Sequence, residues 1–374
     1  MRITNLEFHD FRNYESLSLS NLGDLVIFCG PNAVGKTNIL EGICLLTAAS
    51  TFRHAQIGQL IRQGSDGARI QIQMSDGNRQ LQNVLLLEPG KRKYLINGKS
   101  KSATDVRGIL PAVSFIPDDL NIAKRSSSVK RDALDSLGVQ VSKNYSVVHK
   151  DYEKALRYKN RLLKDESPQA MVDAINETLT TVASQLYCYR RSLYERMVPL
   201  VCENYRGLSQ SGEEFQARYV PSWLRMQQRM PSVSSFSQES AEVLPKEDVS
   251  AFIYEALQLY SAEERRARRA LIGPHNDEVT FMLSGKDSSQ FASQGQQRSI
   301  VLAWKLAEVK LVQQTIGVSP VLLLDDVMSE LDESRRAQLV QTVTTDIQTF
   351  ITTTDLSPFK PDLLARAQVI HLPK

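Results

Sequence analysis

One chemical task is divided between the two ends of this sequence. Near the start, Gly30-Pro31-Asn32-Ala33-Val34-Gly35-Lys36-Thr37 fits the phosphate-loop pattern G-x-x-x-x-G-K-[ST]. Near the end, the apolar run Val321-Leu322-Leu323-Leu324 stops at two carboxylates, Asp325-Asp326. A phosphate loop and a carboxylate-tipped strand serve the same phosphates and metal, so they have to be neighbours in space. A chain that places them most of its length apart must bring its two ends into one sheet. The residues between them must leave that sheet and come back.

The local pattern around the first motif is the one it needs. Asp24 to Cys29 is an apolar run of strand length that Gly30 ends. From Gly35 onward Ile39, Ile43 and Leu46 recur at helical spacing. Strand, glycine loop and helix in that order put backbone N–H groups and a helix N-terminus around bound phosphate. Lys36 would then reach the β- and γ-phosphates and the Thr37 hydroxyl would ligate Mg²⁺. At the far end Pro320 opens a strand that is apolar on both faces, as in a buried parallel sheet. Asp325 would bind the metal and Asp326 would orient the attacking water.

A third element precedes the carboxylate strand. Ser293-Gln294-Gly295-Gln296-Gln297 opens a helical pattern striped by Ile300, Val301, Trp304, Ala307 and Leu311 and ended by Gly317. A serine hydroxyl and a close-approach glycine at a helix N-terminus form an anion site. A simple serine cap reads equally well from the residues alone. Asp332, in Ser329-Glu330-Leu331-Asp332, likewise reads as a helix N-cap or as an interface residue.

Composition fixes the class. The chain has 374 residues, 42% of them hydrophobic and 23% charged, enough for two or three domains of a globular protein. No apolar run approaches membrane-spanning length, and Met1 to Asn5 alternates like a strand with no signal-peptide core. Cys29, Cys44, Cys188 and Cys202 lack metal-site spacing, so free thiols in a cytoplasmic protein are expected. A net charge of +3 does not by itself point to nucleic acid. Each of three basic clusters reads by itself as a solvated face, while together they suit a phosphate-backbone surface: Lys91-Arg92-Lys93 with Lys99 and Lys101 around the hairpin signal Asn97-Gly98; Lys124, Arg125, Lys130 and Arg131; and Arg265, Arg266, Arg268 and Arg269.

The middle of the chain is of another kind. Tyr145 to Leu163 and Ala170 to Cys202 read as long helices, Phe215 to Tyr219 as a short strand and Ser232 to Ser240 as a serine-rich loop. No heptad pattern persists, which excludes a long coiled coil. The expected architecture is an α/β head made from both ends of the chain, residues 1–129 and 270–374, with a largely helical arm, residues 130–269, inserted between them.

Taken together, the motifs resemble an ATP-binding-cassette head of the SMC-like type, and in order along the chain they resemble the RecF family of bacterial recombination mediator ATPases. Asp10-Phe11-Arg12-Asn13-Tyr14, Thr51-Phe52-Arg53, Gln59-Leu60-Ile61, Gly273-Pro274-His275 with Asp277, and Ala292 to Arg298 carry that resemblance, together with the carboxylate strand. Arg125, Ser127, Ala133 and Asn276 depart from the family pattern, all in or near the arm. The resemblance implies an ATP-dependent homodimer that binds duplex DNA and single-strand/duplex junctions, works with RecR and RecO to load RecA at gaps, supports the SOS response and hydrolyses ATP slowly. It implies nucleotide contacts from Gly30 to Thr37, from Arg12 or Arg53 near the first strand, and in trans from Ser293, Gly295 and Gln296. It places Thr354 in the region of the usual switch histidine, and Asp326 where most cassette ATPases carry Glu. A structural ion pair is the alternative for Arg12 and Arg53, and a turn-shaping role for His275. A nuclease-associated ATPase and a non-hydrolysing ATP-gated clamp are the competing functional readings.

Overall fold

Two patterns of burial build the head. In the computed structural model, which describes residues 1–53, 55–209, 212–227, 244–343 and 347–373, the strands in chain order are β1 (Arg2–Phe11), β2 (Tyr14–Leu19), β3 (Leu25–Cys29), β4 (Ala68–Ser75), β5 (Gln80–Glu88), β6 (Lys91–Ile96), β7 (Lys99–Lys101), β8 (Ala112–Phe115), β9 (Phe215–Val220), β10 (Glu278–Leu283), β11 (Lys286–Asp287), β12 (Val321–Asp325), β13 (Thr349–Thr353) and β14 (Gln368–His371). The Ser232 to Ser240 loop expectation lies outside the described residues. Strands that alternate form an antiparallel sheet in the order β2-β1-β4-β5-β6-β7. In β1, Leu6 and Phe8 are buried while Glu7 and His9 are not, the sign of a sheet covered on one face. Strands β3, β12 and β13 are buried at every residue. They belong to a parallel sheet of order β14-β3-β13-β12-β8.

The helix Lys36–Thr47 lies between these sheets. Its Ile39, Leu40 and Ile43 share one core with Phe8, Ile70 and Leu85 of the antiparallel sheet and with Val26, Phe28, Leu323 and Phe350 of the parallel one. Burial on both sides explains why its apolar stripe is wide. A Cβ on Gly42 would overlap the Phe8 ring, so the sheet approaches the helix as closely as glycine permits.

Contacts divide the chain into two units, Met1–Leu120 with Arg298–Lys374, and Asn121–Gln297. The expected boundaries at 129/130 and 269/270 therefore move. The physical reason is that β10 pairs antiparallel with β9 from Glu278↔Val220 to Leu283↔Phe215. That pairing draws residues after 269 into the same unit as the arm helices. These helices are longer than the sequence pattern indicated: Lys143–Lys164 and Gln169–Leu208, the second carrying Pro199 inside it. They pack on each other, and the second packs on Lys246–Leu259.

A buried charge network fixes this second unit. Arg190 is almost fully enclosed and donates from Nε and Nη2 to Asp135 at 2.8 Å each and from Nη1 to the Pro274 carbonyl at 2.6 Å. Asp277 lies 3.7 Å from the same guanidinium and accepts from the Ser222 amide at 2.7 Å. Two carboxylates distant in sequence, Asp135 and Asp277, thus serve one buried arginine. Breaking such a pair from one side leaves an uncompensated charge and is strongly destabilising.

Candidate nucleotide site

Parallel pairing brings the two ends of the chain together. β13 lies between β3 and β12, with Thr352 in register with both Asp325 and Phe28. The loop after β3 and the carboxylates at the tip of β12 therefore emerge side by side. Thr37 Oγ1 donates to Asp325 Oδ1 at 2.8 Å, across 288 residues of sequence. An open cleft there is lined by Asn32, Ala33, Gly35, Lys36 and Thr37 of the loop, by Asn38 and Arg53, and by Asp325 and Asp326.

The loop has the backbone its glycines allow. Gly35 has φ +111°, and a Cβ there would meet Asn13 and the Tyr14 hydroxyl at 2.6–2.8 Å, so no other residue fits. Gly30 sits against the Leu372 carbonyl, 3.1 Å from where its Cβ would be. Lys36 Nζ donates to the Gly30 and Pro31 carbonyls at 2.7 and 2.8 Å, which folds its ammonium over the loop. Asn13 Nδ2 donates to the Val34 carbonyl at 2.9 Å. Asn38 Nδ2 donates to Asn13 Oδ1 at 2.8 Å, and Arg53 Nη1 donates to Asn38 Oδ1 at 3.0 Å. The Asp10–Tyr14 and Thr51–Arg53 blocks thus brace the phosphate loop from outside it.

Arg12 is placed differently from the expectation. Its Nε and Nη2 form a bidentate pair with buried Glu41 at 2.8 and 2.9 Å, and Nη1 donates to the Gln59 carbonyl at 2.8 Å. Glu41 has to be neutralised because it lies inside the helix packed between two sheets, and Arg12 with Thr51 does so. Of the two arginines considered, Arg53 lines the cleft and Arg12 does not.

Thr354 is also corrected. It is exposed past the end of β13. Thr352, two residues earlier and inside the strand, faces the carboxylates. Its Oγ1 donates to Asp325 Oδ1 at 2.7 Å and accepts from the Asp326 amide at 3.0 Å. Strand register, invisible in a run of three threonines, decides which of them points at the site.

Asp326 adopts φ +52°, a left-handed turn that swings its carboxyl out of the strand line. Its pKa is raised, first by burial and then by the neighbouring charges of Asp325 and Glu330, against the lowering influence of Lys36. A carboxylate held toward its neutral form is a better proton acceptor once ionised.

Ser293, Gly295 and Gln296 lie in the other unit, around the start of the helix Gln294–Ile316. Ser293 is exposed, accepts from the Gln296 amide at 3.2 Å through Oγ, and its own amide donates to Gln296 Oε1 at 2.6 Å. That is a reciprocal capping box. Gly317 ends this helix at φ +76°, and Asp332 Oδ1 caps the next one by accepting from the Arg335 amide at 2.9 Å.

His275 shapes a turn. Its Nδ1 lies 2.5 Å from the Tyr152 hydroxyl and its Nε2 3.2 Å from the Ala270 carbonyl. Burial, aided by Arg131, Lys159 and Arg190, pushes its pKa down to about 4. A depressed folded-state value stabilises above the unfolded value near 6.5 and loses that stability as pH falls toward 4. Replacing His275 with Gln is expected to flatten the acid side of the stability curve by up to about 3 kcal/mol, read from urea unfolding at pH 7 and pH 4.5. The pKa of His149 is raised by Asp135 against the opposing effect of burial and so has the opposite slope, which makes wild type against variant the required comparison.

The arrangement has relatives. The family model described as the RecF/RecN/SMC N terminal domain matches residues 2–361. DNA replication and repair protein RecF of Gloeobacter violaceus is 34% identical over 381 residues, covering 100% of this chain and 97% of that protein. The protein of the same name from Geobacillus thermodenitrificans is 32% identical, covering 100% and 98%. Among solved structures, the recombination mediator RecF-ATP of the RecFOR pathway superposes with a TM-score of 0.81 at 26% identity, covering 96% of this chain and 93% of that one. An Smc head domain of Pyrococcus furiosus shares the fold, with a TM-score of 0.52 at 15% identity. The chain is a member of the RecF family, built on the ABC-type ATPase fold of the RecF/RecN/SMC group.

Proposed function

We propose that this protein is an ATP-binding, slowly hydrolysing DNA repair and replication ATPase whose two copies close on ATP while bound to DNA at single-strand gaps and junctions. It works with RecR- and RecO-type partners to load RecA and support SOS induction. The observation that carries the reading is the meeting of Lys36, Thr37, Asp325, Asp326 and Thr352 at the C-terminal ends of β3, β12 and β13. Matching that site, the structures that superpose over nearly the whole chain include RecF with ATP.

Each residue has a role in this mechanism. Loop amides and Lys36 would hold the phosphate chain. Two oxygen donors that already meet at hydrogen-bond distance, on Thr37 and Asp325, fit Mg²⁺, which keeps several waters and takes few protein ligands. When bound, the ion supplies charge neutralisation at the phosphates. Asp326 orients the attacking water and accepts its proton. Thr352 holds the Asp325 carboxylate and the Asp326 backbone amide but offers a hydroxyl where an imidazole would titrate near neutrality. An aspartate of short reach and a threonine of no basicity account for slow turnover.

Asp326→Asn is expected to keep ATP affinity and lower single-turnover hydrolysis about 100-fold or more, as for loss of a general base. Rapid quench with and without duplex DNA measures it, and an unchanged rate would remove Asp326 from the role.

A further inference from the structure

Of the three basic clusters in the sequence, two are partly engaged within their own unit, although Lys124, Arg125, Arg266 and Arg269 are exposed. Lys130 is buried, donates to the Arg125 carbonyl at 2.9 Å and lies over the Phe281 ring, and Arg131 donates to the Asp277 carbonyl. Arg265 donates to Gln169 and to the Ser167 carbonyl, and Arg268 pairs with Glu166. The hairpin β6–β7 differs. Lys91, Arg92, Lys93, Lys99 and Lys101 are all exposed, and among the described residues none has an ion pair or side-chain hydrogen bond.

Register sorts these charges. Lys101 lies opposite Tyr94 and Lys99 opposite Ile96, so they share a face with Arg92; Lys91 and Lys93 lie on the other face. The turn Asn97-Gly98, with φ +47° and +77°, joins the two strands in the tight form that keeps them paired. β7 is the edge of the six-stranded sheet. The result is a ridge with cations on both flanks. The one acid opposite it in register is Glu88, facing Lys91. Arg107, held to the Ala48 carbonyl, adds positive charge close to Arg92.

Lysines on an edge strand also serve to block edge-to-edge pairing. That role accounts for Lys99 and Lys101 on β7. β7 pairs only with Tyr94 to Ile96 of β6, so the role extends to Lys91, Arg92 and Lys93, yet blocking one edge does not call for five cations spread over both faces. The four lysines are flexible point charges that suit an even array of phosphates, and the planar guanidinium of Arg92 matches a phosphate bidentately.

We propose that the β6–β7 hairpin is a sequence-independent contact for the phosphate backbone of duplex DNA. The proposal rests on the DNA-binding reading above and assigns that binding to a surface. Its test is the salt dependence of duplex binding, with ATP present, for the wild type and for the variant Lys91→Gln/Lys93→Gln/Lys99→Gln/Lys101→Gln. All four positions are exposed, so the fold is retained, and sedimentation with ATP checks assembly. Each lost phosphate contact reduces the slope of log affinity against log salt by about 0.9. A reduction of about two to three is expected, equal for unrelated duplex sequences, while Arg265→Gln/Arg268→Gln leaves the slope unchanged. A four-site variant that binds duplex with the wild-type slope overturns the hairpin assignment and leaves the functional reading standing. The same result combined with lost binding to polyglutamate would mark the ridge as a site for an acidic protein instead. A wild type that binds no duplex with ATP overturns the functional reading itself, and the assignment with it.

Discussion

Replacing Lys36 with Met is expected to weaken ATP binding by about 100- to 10,000-fold, the loss of two charge-assisted hydrogen bonds of about 1.5–3 kcal/mol each. The structure shows why nothing else substitutes. Lys36 is the cation at the floor of the cleft, and its Nζ is held 2.7 and 2.8 Å from two loop carbonyls. Those acceptors keep the ammonium where incoming phosphates would meet it, and they surrender it without moving the backbone. Arg53 also lines the cleft, but its guanidinium is engaged with Asn38 at the rim of the loop. Met keeps the unbranched apolar stem of the side chain and removes the terminal ammonium, its charge and its donors together. The two carbonyls lose their donor but stand at a solvent-open cleft, so the fold should survive, which a thermal melt can check. Calorimetric titration with ATP measures the affinity. Tight binding by the variant would mean that the loop is not a phosphate site.

The candidate nucleotide site was legible in the sequence to the extent that its chemistry is written in consecutive residues. Gly30 to Thr37 and Val321 to Asp326 each carry their own strand, turn or helix signal, and the structure places both where those signals direct. What was not legible depends on pairing between distant segments. Thr352 rather than Thr354 reaches Asp325 because β13 is in register with β12, and three successive threonines carry no mark of register. Arg12 follows an apolar strand near the phosphate loop, as a nucleotide contact would, yet it faces Glu41, whose burial inside the helix no local pattern reveals. Asn13 was visible only as part of a family block. Its bracing role appears once Gly35 is seen to leave it no more than the space of a missing Cβ. The arm boundary moved for the same reason, since β9 and β10 are separated by a long stretch of sequence before they pair.

The assembly prediction turns on Ser293. In the single chain its hydroxyl is occupied as a helix cap, and the capping box with Gln296 accounts for both residues without any ligand. A trans role would add to this cap rather than replace it. An exposed helix N-terminus keeps amide donors that its cap leaves unpaired, and these would receive the γ-phosphate held by Lys36 and Thr37 of a second copy. ATP drives dimerisation only if it binds the closed pair better than the single chain, and that differential affinity sets the shift. ADP lacks the group being gripped and should do little. Ser293→Arg places bulk where two heads must close. It should leave ATP binding to each monomer within about threefold of wild type, because the phosphate loop lies in the other half-site. Dimer formation with ATP should be lost, hydrolysis should fall at least about 100-fold, and the salt dependence of DNA binding should flatten as one of two basic surfaces is withdrawn. Ser293→Ala separates the two roles. It removes the cap, at a stability cost of about 1 kcal/mol, but adds no bulk, so ATP should still bring two copies together, though more weakly. Sedimentation of wild type and both variants with ATP, with ADP and with no nucleotide distinguishes the outcomes. A dimer that forms without ATP, or an arginine variant that still dimerises with it, would leave a phosphate-loop ATPase whose serine is a cap and nothing more.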